Sequence, residues 1–442
     1  MQYPATTAVE VHHAGAWRVA GHLRASGANT ATFAYDEQYV FGNNPHPVSL
    51  TLPVGLSAAP MVEGLTGPEP DRRPPSFIYD LVPQGRGRKF LLDALRLPDS
   101  DDMVMPLVMA GAFNPVGCIR LSSALDFYRD EAVRNPDARS ADGFALQDIE
   151  RHSETFLDHI ALHAMLASGT TGVQGVAPKL LLAVNAGGSW FADLALPDEN
   201  AREHWLVKLP RGRSDDDRLV LRNEAAYLEV AARCGLRTHH KPMLLNEMLF
   251  VRRFDREVRA GQLHRLHQES LASLVGQRGF GAPHSQQSLL RALRAVVDDP
   301  IAETVEFIKR DVLNLALRNT DNHARNTAVQ RTVDGRIQLT PVFDFAPMFK
   351  DPEVVPRSCH WRDAKGVTQS SWLQVLESLD IPPGELALIA AELVAFAGTV
   401  AQLEAIARDC GVEASVLGQC LRTIEEQTRQ LEQLGRLKAG HG

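Results

Sequence analysis

Apolar and polar positions alternate with a period of two through most of the first ~125 residues, the pattern of half-buried strands. Val9–His13, Trp17–Arg24 and Pro47–Leu52 read as short strands, the first two joined by a turn at His13-Ala14-Gly15. A helix is expected around Phe77–Leu95. Val104–Leu121 reads as short strands, with turns at Gly111 and Gly117. The polar stretch Arg129–Gly143 is the expected boundary. Beyond it the period lengthens: Leu146–Ala167 has helical spacing, and a Gly/Thr-rich loop covers Gly169–Pro178. Strands are expected at Leu180–Val184, Trp190–Leu194 and Trp205–Leu209, then a helix over Leu219–Cys234 stopped by Gly235. Met243–Phe254 reads as a hairpin turned at Asn246-Glu247. From Glu269 onward the pattern is mainly helical, broken between Arg318 and Phe349, and Pro383–Leu437 reads as two long helices parted near Gly411. The fold class is therefore α/β (α+β). Its expected parts are a β-rich N-terminal subdomain over 1–125, an α/β lobe over 146–258 and a mainly helical lobe over 259–442.

Composition narrows the function classes. With 442 residues, 44% of them hydrophobic, the chain has ample material for a large core. Its 46 basic and 54 acidic side chains leave a formal charge of −8, the opposite of what phosphate-driven nucleic-acid binding needs. Five scattered cysteines without a CxxC pair suit a reducing compartment better than a disulfide or zinc framework. The opening MQYPATTAVEVHH lacks the pattern of a secretory signal, and the most apolar run, Ile389–Leu403, is interrupted by Glu392 and Gln402. A cytoplasmic protein without a membrane partner is expected.

The break in the helical region carries the chemistry. It reads RNTDNHARNTAVQRTVDGRIQLTPVFDFAPMF, with Asp321 five residues before Asn326 and Asp344 beyond a candidate hairpin turned at Val333-Asp334-Gly335. Phosphoryl transfer needs one carboxylate to orient a hydroxyl, and an amide oxygen and a second carboxylate to hold magnesium. Taken singly, an Asp/Asn-rich loop is a turn and cap device. Three such residues in this order point instead to Asp321 as the catalytic residue and to Asn326 and Asp344 as metal ligands. His323, lying between Asp321 and Asn326, is expected to brace the loop.

A cation for ATP phosphates is also required. Lys208 in HWLVKLP alternates with Trp205, Val207 and Leu209, so it projects from the opposite face of its strand. Glu224, on the following helix, either pairs with Lys208 or is an exposed helix charge. In the loop GTTGVQGVAPK, Gly172 and Gly175 would let backbone N–H groups approach phosphates, although the loop has neither the Walker pattern nor G-x-G-x-x-G. None of the sixteen histidines lies in a zinc spacing, and no G-x-S-x-G occurs.

Taken in order, PVSLTLP, FIYDLVPQGRGRKFLL, GVQGVAPKLLL, WLVKLP, NEAAYLEVAARCGL, LFVRRFDR, NTDNHARN and LTPVFDFAPM resemble the HipA family, bacterial serine/threonine kinases that act as toxins of type II toxin–antitoxin modules. The resemblance spans nearly the whole chain and implies a two-lobed, protein-kinase-like fold. It implies Asp321 as catalytic base, Asn326 and Asp344 on Mg2+, Lys208 on the phosphates of ATP and Lys179 in the nucleotide-covering loop. Arg252 to Phe254 would lie at the adenine hinge. It further implies a small helix-turn-helix antitoxin (HipB-like) as partner, DNA reached only through that antitoxin, and a Ser/Thr-bearing protein substrate such as an aminoacyl-tRNA synthetase. The sequence departs from the family at two places. Gly172, after Thr170 and Thr171, stands near the family's autophosphorylated serine, and Arg252 stands where an acidic hinge residue is common. The expected function is an ATP-dependent serine/threonine protein kinase. Its rivals are a small-molecule phosphotransferase and a catalytically idle partner of an antitoxin in transcriptional repression.

Overall fold

In the computed structural model, which describes residues 4–56, 72–134, 143–151, 179–210 and 214–439, the alternating N-terminal segments form an antiparallel sheet. Its strands are β1 (Thr6–His13), β2 (Ala16–Gly27), β3 (Thr30–Tyr35) and β4 (Ile119–Leu121), in the order β3-β2-β1-β4. The two-residue connection between β1 and β2 has Ala14 at φ +49° and Gly15 at φ +76°, the left-handed pair that matches strand twist in a tight hairpin. Inward residues Val9, Val11, Leu23, Phe33 and Leu121 are buried and begin the core.

Three N-terminal expectations need correction. Pro47–Leu52 is not a strand: only an isolated bridge joins Ser49 to Leu52. The segment is held by a distant carboxylate, with Ser49 Oγ and Leu50 N donating to Glu269 at 2.7 Å each. Burial pushes that carboxyl up to about 7. Val104–Leu121 contains a helix, Val104–Gly111, before β4. All eight helical residues are buried, so no polar face revealed the helical period. The helix expected over Phe77–Leu95 is two helices, Ser76–Asp80 and Gly85–Leu95, parted around Pro83, which disfavours helical geometry before it.

The chain divides into two compact units. Residues 1–209, 250–280 and 330–335 make the first; 210–249, 281–329 and 336–442 make the second. The first also holds β5 (Lys179–Asn185), β6 (Trp190–Ala192) and β7 (Ala201–Lys208), with β5 between the other two. Next come β8 (Met243–Leu245) and β9 (Met248–Arg252), flanking Asn246 and Glu247 at φ +45° and +65°, the turn expected for that hairpin.

The first unit contains a buried ion network that no sequence pattern announces. Asp255 accepts from Arg253 at 2.8 and 3.0 Å, from Arg256 at 2.6 Å and from the amide of Gly117 at 2.8 Å. Asp193 accepts from Arg253 and Asn114 at 2.7 Å each and lies 2.6 Å from His204 Nδ1. Arg256 also donates to the carbonyls of Gly117 and Pro115, at 2.8 and 3.0 Å. The network thus ties the loop before β4 to the chain after β9. Burial alone would raise the carboxyl of Asp193, but His204 and Arg253 hold it well below the usual range.

Helices dominate the second unit. Asp215–Arg233 starts at Ser214, whose side chain accepts from Asp217 N, carries three aspartates in its first turn, and gives way to Gly235 at φ +79°. Pro300–Ala316 starts with Asp299 accepting from Ala302 N and with proline at the first helical position. Pro383–Ala401 is the one helix among the described residues long and apolar enough to match a membrane span. Its Ile389, Leu393, Phe396 and Val400 are nevertheless buried, and it packs on Pro300–Ala316 and Leu421–Ala439. Its Glu385 and Glu392 pair with Arg294 at 2.6 Å and Lys309 at 3.3 Å, so it is a core helix of this unit.

Candidate functional site

The helix Pro300–Ala316 delivers the chain into the loop singled out by the sequence. Its end is pinned from two sides, Tyr227 Oη donating to Leu317 O at 2.9 Å and Thr423 Oγ1 to Ala316 O at 2.7 Å. Arg318, at φ +57°, then turns the chain out of the helix. Inside the loop Asn319 Nδ2 donates to Asn314 Oδ1 at 2.9 Å, and the amide of Asn326 to His323 O at 2.9 Å. Asn326 Nδ2 closes the loop on the carbonyl of Asp321, also at 2.9 Å. His323 Nε2 lies 3.5 Å from Asp321 Oδ1, both side chains about a quarter exposed. The carboxylate is therefore braced and still reachable from solvent.

The hairpin Ala328–Arg331 and Ile337–Leu339 follows, and Val342 N donates to Arg237 O at 2.8 Å. Asp344 comes next at φ +49°, a conformation uncommon for any residue but glycine and concentrated at functional sites. Asp321, His323, Asn326 and Asp344 line one cleft of about 40 Å³, whose inner wall includes Phe307, Asp311, Asn314 and Asn319. The structure thus brings together all four residues that the sequence placed in this region.

The donor set suits a hard divalent cation. Asn326 Oδ1 is buried without a hydrogen-bond partner, because the amide nitrogen is spent on Asp321. Such an orphaned acceptor beside a carboxylate fits magnesium, which takes one or two protein oxygens and completes its shell with water and phosphate. Among the described residues no three His, Cys, Asp or Glu side chains gather as a metal-holding group. Asn319 Oδ1, Thr320 Oγ1 and His323 Nδ1 of the same loop are likewise buried without partners.

In the first unit, Lys179 of β5 and Lys208 of β7 are direct cross-strand partners, 8% and 7% exposed. Directly opposed like charges on adjacent strands repel, so each lysine needs an anion near it. Glu224 is 5% exposed on its helix, which removes the reading of it as an exposed helix charge. Arg252 pairs with Glu203 at 3.2 Å and lies over the ring of Trp205 at 5.8 Å. Phe254 is half-buried. Gly172 and Gly175, with Thr170 and Thr171, lie outside the described residues. The sequence reading missed Asn322 and Asp311 altogether, since their partners are remote in the chain.

Comparison with known proteins gives two family matches. The family described as HipA-like C-terminal domain matches residues 171–402, and the HipA N-terminal domain matches residues 11–121. No curated protein sequence matches the chain. Among solved structures, HipA from the Shewanella oneidensis MR-1 toxin–antitoxin system, in complex with HipB and operator DNA, is similar over 97% of this chain and 99% of that one. The TM-score is 0.62 at 17% identity, a likeness of fold. The Helicobacter pylori proinflammatory kinase CtkA aligns over 54% of this chain and 90% of its own at 13% identity. Its TM-score of 0.38 is too low to bear on fold or function.

Proposed function

The chain belongs to the HipA family, and on that footing we propose that it is an ATP-dependent serine/threonine protein kinase acting as a HipA-type toxin. The observation that carries the proposal is the meeting of Asp321, Asn326 and Asp344 on one cleft, with Asn326 Oδ1 left as an open acceptor. Asp321 orients the Ser or Thr hydroxyl and takes its proton, while His323 braces the carboxylate from 3.5 Å. The hydroxyl oxygen bonds to the γ-phosphorus in line as the bond to the β,γ-bridging oxygen breaks and ADP leaves. Lys208 and Lys179, neighbours across β7 and β5, are the proposed cations for the phosphates of ATP. Asn326 and Asp344 would hold magnesium, which neutralises charge on the transferred phosphate.

A helix-turn-helix antitoxin is the proposed partner, because the solved relative is described in complex with HipB and operator DNA. The formal charge of −8 leaves most DNA phosphate contacts to that partner. The proposed acceptor is a host protein of the translation apparatus, such as an aminoacyl-tRNA synthetase, and the proposed compartment is the cytoplasm.

The test incubates the purified chain with γ-labelled ATP and magnesium, with and without host-cell extract, beside Asp321→Asn. Label on the chain or on one extract protein should fall by about 10²–10⁴ in the variant, whose ATP binding and melting temperature stay near wild type. Equal labelling by the two proteins refutes the assignment. ATP binding with no labelled protein anywhere favours a small-molecule acceptor or an idle partner of the antitoxin.

A further inference from the structure

The left-handed backbone of Asp344, at φ +49°, persists only where the surroundings over-determine it. The residues just before it show what does the holding. Leu339 N donates to Glu303 Oε2 at 2.9 Å, and Leu339 O accepts from Arg237 Nη1 at 2.9 Å. Thr340 O accepts from Arg310 Nη2 at 2.7 Å, while Thr340 N donates to Ala328 O at 2.9 Å and Val342 N to Arg237 O at 2.8 Å. Pro341 has no amide to place. Glu303, Glu306 and Arg310 stand three and four residues apart, so they share one face of the helix Pro300–Ala316. Glu303 takes both arms of Arg237, at 2.8 and 2.7 Å. Glu306 Oε1 takes the amide of Arg237 at 2.9 Å and Arg310 Nε and Nη2 at 2.8 and 2.7 Å. The Arg310 and Glu306 side chains are only 10% and 12% exposed, and Arg310 lines the same cleft as Asp344. The helix that runs into the loop of Asp321 thus also grips the strand that delivers Asp344.

We propose that Arg310 is a positioning residue for the metal: its guanidinium, aimed by Glu306, holds the Thr340 carbonyl and so fixes the approach of Asp344 to the cation it would share with Asn326. A planar fork suits this task, because it meets a carboxylate and a carbonyl at once in one rigid plane. The inference rests on the magnesium reading of the cleft and adds the residue that sets its geometry from behind. The charge of Arg310 works against the role. A cation lining the cleft repels a second one, so by charge alone its removal would tighten the metal. Positioning gives the opposite sign, because a loosened strand lets Asp344 relax to ordinary backbone and leave the cation.

The test compares the full chain as wild type, Arg310→Met and Arg310→Lys, each saturated with a non-hydrolysable ATP analogue. Mn2+ binding is read from the paramagnetic resonance signal of the free ion, and binding of the analogue without metal from calorimetry. Arg310→Met should weaken Mn2+ about tenfold, the scale on which metal affinity falls when a group that steadies a ligand is removed. Affinity for the metal-free analogue should stay within about twofold. Arg310→Lys keeps a cation beside Glu306 without the fork that joins it to Thr340 O, so its Mn2+ affinity should lie between the other two. It is the decisive variant should Arg310→Met not fold. Hydrogen exchange at the Thr340 and Val342 amides should quicken in the same order. Mn2+ held as tightly as in wild type, or more tightly, by Arg310→Met (by Arg310→Lys if only that variant folds) overturns the proposal. So does an affinity for the metal-free analogue that falls in step with that for Mn2+, the mark of a general loosening. A wild type that binds the analogue but no Mn2+ refutes the magnesium site itself, and the role of Arg310 falls with it.

Discussion

Asp255 of the first unit and Asn326 of the second are both buried polar groups, and they are satisfied in opposite ways. Asp255 is ringed by two guanidinium groups and a backbone amide, and neighbouring Asp193 by Arg253, Asn114 and His204. Asn326 has one half of its amide bonded and the other half open, in a loop where Asn319, Thr320 and His323 also keep open atoms. A matched network of buried charge fixes one arrangement of the chain and has little capacity for a ligand. A loop held by its nitrogens, with oxygens to spare, is fixed in shape and open in chemistry. Burial alone therefore does not separate the two: the atoms left open in the network are nitrogens, Arg256 Nε and His204 Nε2, whereas the loop keeps open oxygens that can meet a cation.

The sharpest way to break this contrast is to remove the centre of the network. Asp255→Ala leaves Arg253 and Arg256 without their shared carboxylate in a dry site and should cost roughly 3–5 kcal/mol. Urea unfolding measures it; a cost below about 1 kcal/mol would mean that water already reaches the network. Asn326→Ala should act the other way round. It removes one hydrogen bond, for about 1 kcal/mol of stability, but raises the magnesium needed for half-maximal ATP turnover by roughly 10–100-fold. A magnesium titration that superimposes on wild type would remove Asn326 from the metal.

The smallest expected effect concerns protons. Burial pushes His12 and His267 down to about 3 from 6.5, and pushes Glu269 up to about 7 from 4.5. The depressed histidines contribute stability above pH 6.5 that is lost as pH falls toward 3. The raised carboxyl contributes stability below pH 4.5 that is lost as pH rises through 7. His46, pushed down to about 4, acts in the same sense, so between about pH 6.5 and 4.5 three histidines oppose one carboxyl and the unit should weaken on acidification by roughly 1–3 kcal/mol per pH unit. His267→Asn leaves two against one and should reduce that slope without abolishing it, as chemical denaturation at stepped pH would show.

Much of the fold was legible because local rules and tertiary packing agree. The Asn246-Glu247 turn and the stop at Gly235 follow from dihedral preference, and β5 carries a continuous apolar run and is buried at six consecutive positions, as a central strand reads. The candidate site was legible for the same reason: Asp321, Asn326 and Asp344 are joined by a short loop and one hairpin, so spacing stands in for geometry. What escaped depends on partners far along the chain. Ser49 and Leu50 look like a strand until Glu269, 220 and 219 residues away, takes both of their donors. Val104–Gly111 shows no helical period because it is buried on every side. Asn322 reads as one more loop asparagine, and only the fold brings Ser358 and Cys359 to it.

The division into two units has a consequence for how the protein is made. The chain leaves the first unit at residue 209, returns at 250, leaves again at 280 and visits it a last time at 330–335. A ribosome adding about 5–20 residues per second cannot finish the first unit until residue 335 has emerged. Asp344 follows only after that strand, and the helix Leu421–Ala439 that backs the second unit comes at the very end. A nascent chain of 300 residues thus holds every strand from β1 to β9 but lacks the last return to the first unit and the whole Asp321–Asp344 loop. The residues that line the cleft are therefore complete only after nearly all of the first unit has been translated.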